Sequence, residues 1–105
     1  MHPLAVNKDR DEFDVDVSRR GKWGNPFTNI GSAPEAFRCS SKAEAVRLHA
    51  AWMLRRRALM LDLPELTGLR LGCACEGPPC HAETLARRAN NPFTLMAYAH
   101  PRFRN

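Results

Sequence analysis

Four side chains in the run from residue 73 to 81 can carry chemistry: Cys73, Cys75, Cys80 and His81. The apolar stretch from Leu69 to Cys75 reads as a buried strand. Glu76-Gly77-Pro78-Pro79 reads as a stiff loop, and a helix is predicted over 81–89 with Asn90 as its end cap. Cys80 then falls at the helix N-cap and His81 just inside. Backbone N–H groups are unpaired there and the helix dipole favours negative charge. A thiol so placed is expected to be more acidic than free cysteine. Cys80 and His81 together therefore form the candidate catalytic pair, a nucleophile beside a proton carrier.

Two other chemistries fit the same residues. Cys73, Cys75, Cys80 and His81 make a zinc ligand set. Against it, Cys-x-Cys is tighter than the usual ligand gap, and adjacent Cys80-His81 seldom share one ion. Cysteine also packs as a small hydrophobe, which is the simplest account of Cys73. Disulfides are not expected. The first residues hold no apolar run long enough for a signal peptide, so the chain is expected to stay in the reducing cytoplasm, with no membrane partner.

A second group lies in the long loop between Ser18 and Cys39, whose centre is Lys22-Trp23-Gly24-Asn25-Pro26-Phe27. Loops this long without regular structure are often functional. Lys22 offers charge, Trp23 a stacking face and Asn25 an amide able to read a base edge. Trp23 and Phe27 can equally plug the core beneath the loop.

The elements that must position these groups are few. One domain is all that 105 residues build, and 44% hydrophobic with 26% charged residues is ordinary for a globular chain. The expected fold is α/β (or α+β), a short three-stranded sheet packed by about three helices over residues 1–90, followed by a tail at 91–105 with a helical turn at 94–99. Strands are predicted at Leu4 to Val6, at Phe13 to Val17 with Phe13, Val15 and Val17 inward, and at Leu69 to Cys75. Ser41-Lys42-Ala43-Glu44 is a capping box that opens a long helix, with Ala45, Leu48, Trp52 and Leu59 as its apolar stripe. Leu61 to Leu66 reads as a short helix broken by Pro64. Asn-Pro-Phe-Thr occurs at 25–28 and 91–94 without the periodic context of a repeat.

The net charge is +5, with −3 in residues 1–16 and +8 in the remainder. An anionic partner follows from that balance. Arg55, Arg56 and Arg57 lie about 100° apart around a helix, so they read as a solvated face before a DNA-binding one.

Arg19-Arg20-Gly21-Lys22-Trp23-Gly24-Asn25-Pro26-Phe27 resembles an Arg-x-x-Lys-Trp-Gly-Asn-Pro-Phe block, and Cys73 to His81 resembles a Cys-x-Cys-x(4)-Cys-His block that opens a helix. In this order the two resemble the small bacterial and phage family catalogued as domain of unknown function 4326, over residues 4 to 90. The resemblance implies a compact α/β fold and a phage or prophage setting, hence the cytoplasm of a bacterial host. It marks Lys22, Trp23, Asn25, Cys75, Cys80 and His81 as the positions to test. This chain departs from the family at Ala74, often Trp there, and at Ala82, often Gly. The leading expectation joins the blocks into one pocket for a nucleotide or nucleic-acid component, with Lys22, Trp23, Asn25 and Cys75 binding and Cys80 and His81 reacting. The alternatives are a non-enzymatic phage factor that binds a host protein or nucleic acid through its arginines, and a zinc-binding module. The residues name no cofactor, reaction or oligomeric state.

Overall fold

The computed structural model describes residues 2–18, 21–29, 34–75 and 78–99. The central strand β3, Leu71–Cys73, is buried along its whole length. It lies between β1, Ala5–Asn7, and β2, Val15–Asp16, and both run parallel to it. A central parallel strand is covered on both faces, which is why it is apolar throughout. The strands are shorter than the sequence implies. Asn7 pairs with Cys73, where the ladder between β1 and β3 ends.

The connection from β1 to β2 passes from one edge of the sheet to the other across β3. Gly72 permits that crossing. A Cβ at position 72 would lie 2.7 Å from Cγ of Phe13 and 3.1 Å from Cβ of Lys8. Phe13 thus lies against the backbone of β3 and stays 40% exposed, whereas Val17 is fully buried. The expectation that Phe13 points into the core is corrected: the strand begins only at Val15, so strict alternation does not extend back to it.

Helices cover the other face. Helix α1, Lys42–Met53, opens on the expected cap: Ser41 Oγ accepts from the Glu44 N–H at 3.1 Å. The Glu44 carboxylate reaches back one residue further than anticipated, to the Ser40 N–H. The buried line along α1 is Ala45, His49 and Met53, with Leu48 and Trp52 half-buried beside it. The helix stops at Met53, and Leu59 belongs to a separate helix α2, Arg57–Asp62. Neither glycine nor proline marks the break, so the apolar spacing runs through it. A 3₁₀ segment, Leu63–Leu66, follows with Pro64 at its start, where a missing N–H breaks no bond. The predicted single helix over 61–66 is therefore the end of one element and the whole of another. Arg55, Arg56 and Arg57 are exposed around the junction, and the Arg56 guanidinium sits 5.2 Å from the centre of the Trp52 ring.

Helix α3, His81–Ala89, buries Ala82, Leu85, Ala86 and Ala89, a stripe at helical spacing. Its small residues let it sit close to the sheet, α1 and the 3₁₀ segment. Arg88 donates to the Ala50 carbonyl at 2.7 Å, tying α3 to α1. Asn90 ends the helix as predicted, returning its amide to the Ala86 carbonyl. Thr67 donates to the Ala89 carbonyl, and Gly68 turns the chain at φ +77°. Helix α4, Pro92–Ala99, is longer than the turn expected in the tail, and Leu95 packs on the core. Both Asn-Pro-Phe-Thr copies use the same turn: Asn25 and Asn91 each accept the N–H of the following Phe at 2.9 Å. The contexts differ, since Phe27 is buried and Phe93 is 80% exposed. Among the described residues no helix is long and apolar enough to cross a membrane.

Candidate functional site

The two sequence blocks, about fifty residues apart, meet at one cleft of about 440 Å³. The loop supplies Asn25, Thr28 and Asn29, with Ser18 before it. The first turns of α1 supply Lys42, Ala45 and Val46. The cysteine block supplies Ala74, Cys75 and His81. Arg19, Arg20, Glu76 and Gly77, which also belong to the blocks, lie outside the described residues.

Folding of the loop decides which of its groups reach the cleft. Gly24 N–H bonds to the Gly21 carbonyl, a turn that sends Trp23 inward to 5% exposure. Lys22 lies over the Trp23 ring and extends to Asp62 at 2.9 Å and Glu65 at 3.4 Å. Those acids hold the Lys22 ammonium above its usual pKa, Asp62 foremost through its hydrogen bond. Lys22 and Trp23 thus do not line the cleft.

Asn25 does line the cleft, but its amide is engaged at both ends. Nδ2 donates to the Ala45 carbonyl at 3.0 Å, and Oδ1 accepts from Phe27 N–H. Asn25 therefore clamps the loop onto the first turn of α1. Asn25→Ala is expected to cost about 1–3 kcal/mol, because buried partners lose their bonds. The shift of the urea midpoint measures it, and a loss below about 0.5 kcal/mol contradicts the clamp.

At the β3–α3 junction three thiols converge. Cys73 ends β3, Cys75 follows two residues later beyond the strand, and Cys80 is the N-cap of α3. Their sulfurs all lie within 4.8 Å of one another, and Sγ of Cys73 and Cys80 are 2.7 Å apart. Cys75 is held from β1: Asn7 Nδ2 donates to its carbonyl at 3.1 Å. A second cavity of about 240 Å³ opens on the cluster from the β1 side and is lined there by Asn7, Arg10 and Asp11. Cys75 borders both cavities. Cys39 is remote in sequence, with its thiol directed to the Ser41 carbonyl.

The thiols titrate together. The first to ionise is stabilised by S–H groups of the others, and its charge then opposes further ionisation. The Cys73 thiol is pushed down by Cys75 first and Cys80 second. The Cys75 and Cys80 thiols are pushed up, Cys73 foremost, with burial adding to it. The expectation of an acidic thiol at Cys80 is thus reversed. Cys80 occupies the N-cap as expected but is only 4% exposed and makes no side-chain cap bond; its sulfur turns to Cys73.

His81 is buried at the cleft wall, and its Nε2–H donates to the Val17 carbonyl. That bond anchors α3 to the end of β2. It also leaves His81 outside the group of three sulfurs, so the four-ligand zinc set does not assemble in this arrangement. Against His81 stands His49, edge-on at 5.3 Å between ring centres. The apolar stripe of Ala45, Leu48, Trp52 and Leu59 passes over His49, because an imidazole is not apolar. His49 is 1% exposed, and its Nδ1 has no partner among the described residues. Its position four residues after Ala45 and before Met53 was the available signal.

These features define a class: a small α/β domain with a three-stranded parallel sheet, a thiol cluster at a strand-to-helix junction and a cleft between that junction and a Lys-Trp-Gly-Asn-Pro-Phe loop. The family described as Domain of unknown function (DUF4326) matches residues 5–91, and the chain belongs to it. It is also 33% identical over 93 residues to an uncharacterized 12.4 kDa protein in the nrdA-td intergenic region of Enterobacteria phage T4, covering 85% of this chain and 79% of that protein. No solved structure matches.

Proposed function

We propose that the 440 Å³ cleft binds a nucleotide or a nucleic-acid component. The observation that supports this reading is the convergence of both sequence blocks on one cavity at the first turns of α1 and α3. Its size falls within the range of about 300–1,000 Å³ usual for small-molecule sites. Lys42, at the first position of α1, brings an ammonium to the N-terminal end of that helix, a favourable combination for phosphate. Ala45, Val46 and Ala74 form an apolar wall against which a base or sugar packs. Ser18, Thr28 and Asn29 provide polar groups beside it. The cation that lines the cleft is Lys42, not Lys22.

Calorimetric titration with deoxynucleoside monophosphates and with the matching nucleosides tests the reading. The monophosphates are expected to bind, the nucleosides about tenfold more weakly, and Lys42→Ala to lose about tenfold for the phosphate-bearing ligand. Lys42 is exposed, so the variant should fold. Absence of binding to mononucleotides and short oligonucleotides, or unchanged affinity in Lys42→Ala, overturns it.

A further inference from the structure

Cys73 and Cys80 line the second cavity and not the cleft, and an account of the cleft leaves the thiol cluster unexplained. We propose that Cys73, Cys75 and Cys80 form a three-thiolate site for one zinc ion, with the fourth coordination position open to the cavity beside Asn7, Arg10 and Asp11. This inference stands independently of the nucleotide reading.

The argument begins with geometry. Tetrahedral zinc with Zn–S bonds near 2.3 Å sets its sulfurs ~3.8 Å apart. The three sulfurs here lie within 4.8 Å of one another, so an ion at their centre needs side-chain adjustments of about 1 Å. Cys73 and Cys80, 2.7 Å apart, move outward to admit it. The sulfurs arrive from three backbone settings, the end of a strand, the residue beyond it and a helix N-cap. A tripod built this way approaches one point from three directions, which tight Cys-x-Cys spacing alone does not reveal.

Packing is a poor explanation for the cluster. An alanine or valine fills such a place without three S–H groups crowded together, and it is reactivity that usually decides the retention of cysteine. Soft thiolates select zinc over hard cations. The surroundings also fit a ligand site. The Asn7 amide holds the Cys75 carbonyl, and Asn7 Oδ1 in turn accepts the Asp9 N–H at 2.8 Å. Outer hydrogen bonds of this kind fix the orientation of metal-binding groups. Zinc binding displaces the thiol protons into solvent.

The fourth position is not supplied by His81, whose Nε2 is bonded to Val17. The second cavity, about 240 Å³, gives room for a water on the open side of the tripod. Three protein ligands with one exchangeable position is the arrangement of zinc sites that do chemistry, in contrast to closed structural sites.

The test uses the full chain, reduced and freed of metal with a chelator, then titrated with cobalt(II) and back-titrated with zinc. A sulfur-to-cobalt charge-transfer absorption is expected to rise to an endpoint of one ion per chain and to vanish as zinc displaces the cobalt. Imidazole added to the cobalt form should shift its ligand-field bands by entering the open position. Cys39→Ser should keep the endpoint, and Cys75→Ser should lose at least tenfold in affinity with its circular dichroism unchanged. If a cysteine variant fails to fold, the wild type still decides. Zinc should slow alkylation of Cys73, Cys75 and Cys80, located by mass spectrometry, and leave Cys39 unaffected. No charge-transfer band, or one that persists with all three cysteines replaced, overturns the site. A Cys73–Cys80 disulfide in protein kept under reductant overturns it too, and bands indifferent to imidazole overturn the open position.

Discussion

Leu85→Ala is expected to remove about 2–5 kcal/mol of folding stability, a large share of the roughly 5–15 kcal/mol of a domain this size. Leu85 is fully buried at the middle of α3, the helix that touches β1, β3, α1, α4 and the 3₁₀ segment. Its neighbours on that face are Ala82, Ala86 and Ala89. Alanines have no side-chain reach with which to fill the space left, so the cavity term adds to the lost transfer energy. The measurement is urea unfolding, read as a midpoint shift at constant slope. Arg87→Ala, exposed on the same helix, is the control and should stay within about 0.5 kcal/mol. The consequence extends to both cavities, since α3 carries Cys80 at its cap and His81 in its first turn. A Leu85→Ala loss below about 1 kcal/mol contradicts the packing described.

The second large effect is acid sensitivity through His49. Burial, then the nearby His81 and Arg88, hold its pKa down to about 3. In the unfolded chain a histidine titrates near 6.5. Between those values the unfolded state takes up a proton that the folded state refuses. The stability associated with neutral His49 is therefore complete above about pH 6.5, falls as pH drops toward 3, and is lost below that. The expected contribution is about 2–4 kcal/mol across the window. Unfolding free energies of the wild type and His49→Leu, measured from pH 7.5 to 3.5, isolate it. The variant has no imidazole to protonate and leaves no buried Nδ1 without a partner, so it should gain on the wild type steadily as pH falls. Parallel profiles for the two proteins contradict a neutral, buried His49.

Much of the site's scaffold was legible because its signals are local. The capping box set the start of α1, Cys80 and Asn90 set the ends of α3, and the apolar run from Leu69 marked the central strand. Each depends on residues within one turn or one strand of each other. The break after Met53 was not legible, because the chain there lacks the glycine or proline that marks a stop; the helix ends in local turns, with Arg55 N–H bonded to the Trp52 carbonyl and Arg56 N–H to the Met53 carbonyl. The strands also came out shorter than their patterns, since pairing to β3 sets their length.

The sequence by itself determined which residues are chemically capable and which elements carry them: three cysteines and a histidine at a strand–loop–helix junction, and a lysine, a tryptophan and an asparagine in one long loop. The tertiary structure decided what each can reach. Lys22 turned to Asp62 and Glu65, forty residues away or more, and Asn25 spent its amide on Ala45 and Phe27. Lys42 took the place at the cleft, His81 bonded to Val17, and the sulfur of Cys80 turned inward to Cys73. The physical reason is common to all of these. Backbone propensity and capping act over a few residues and are written in order along the chain. A side chain's partner is set by burial and by charges that only folding brings within a few ångströms.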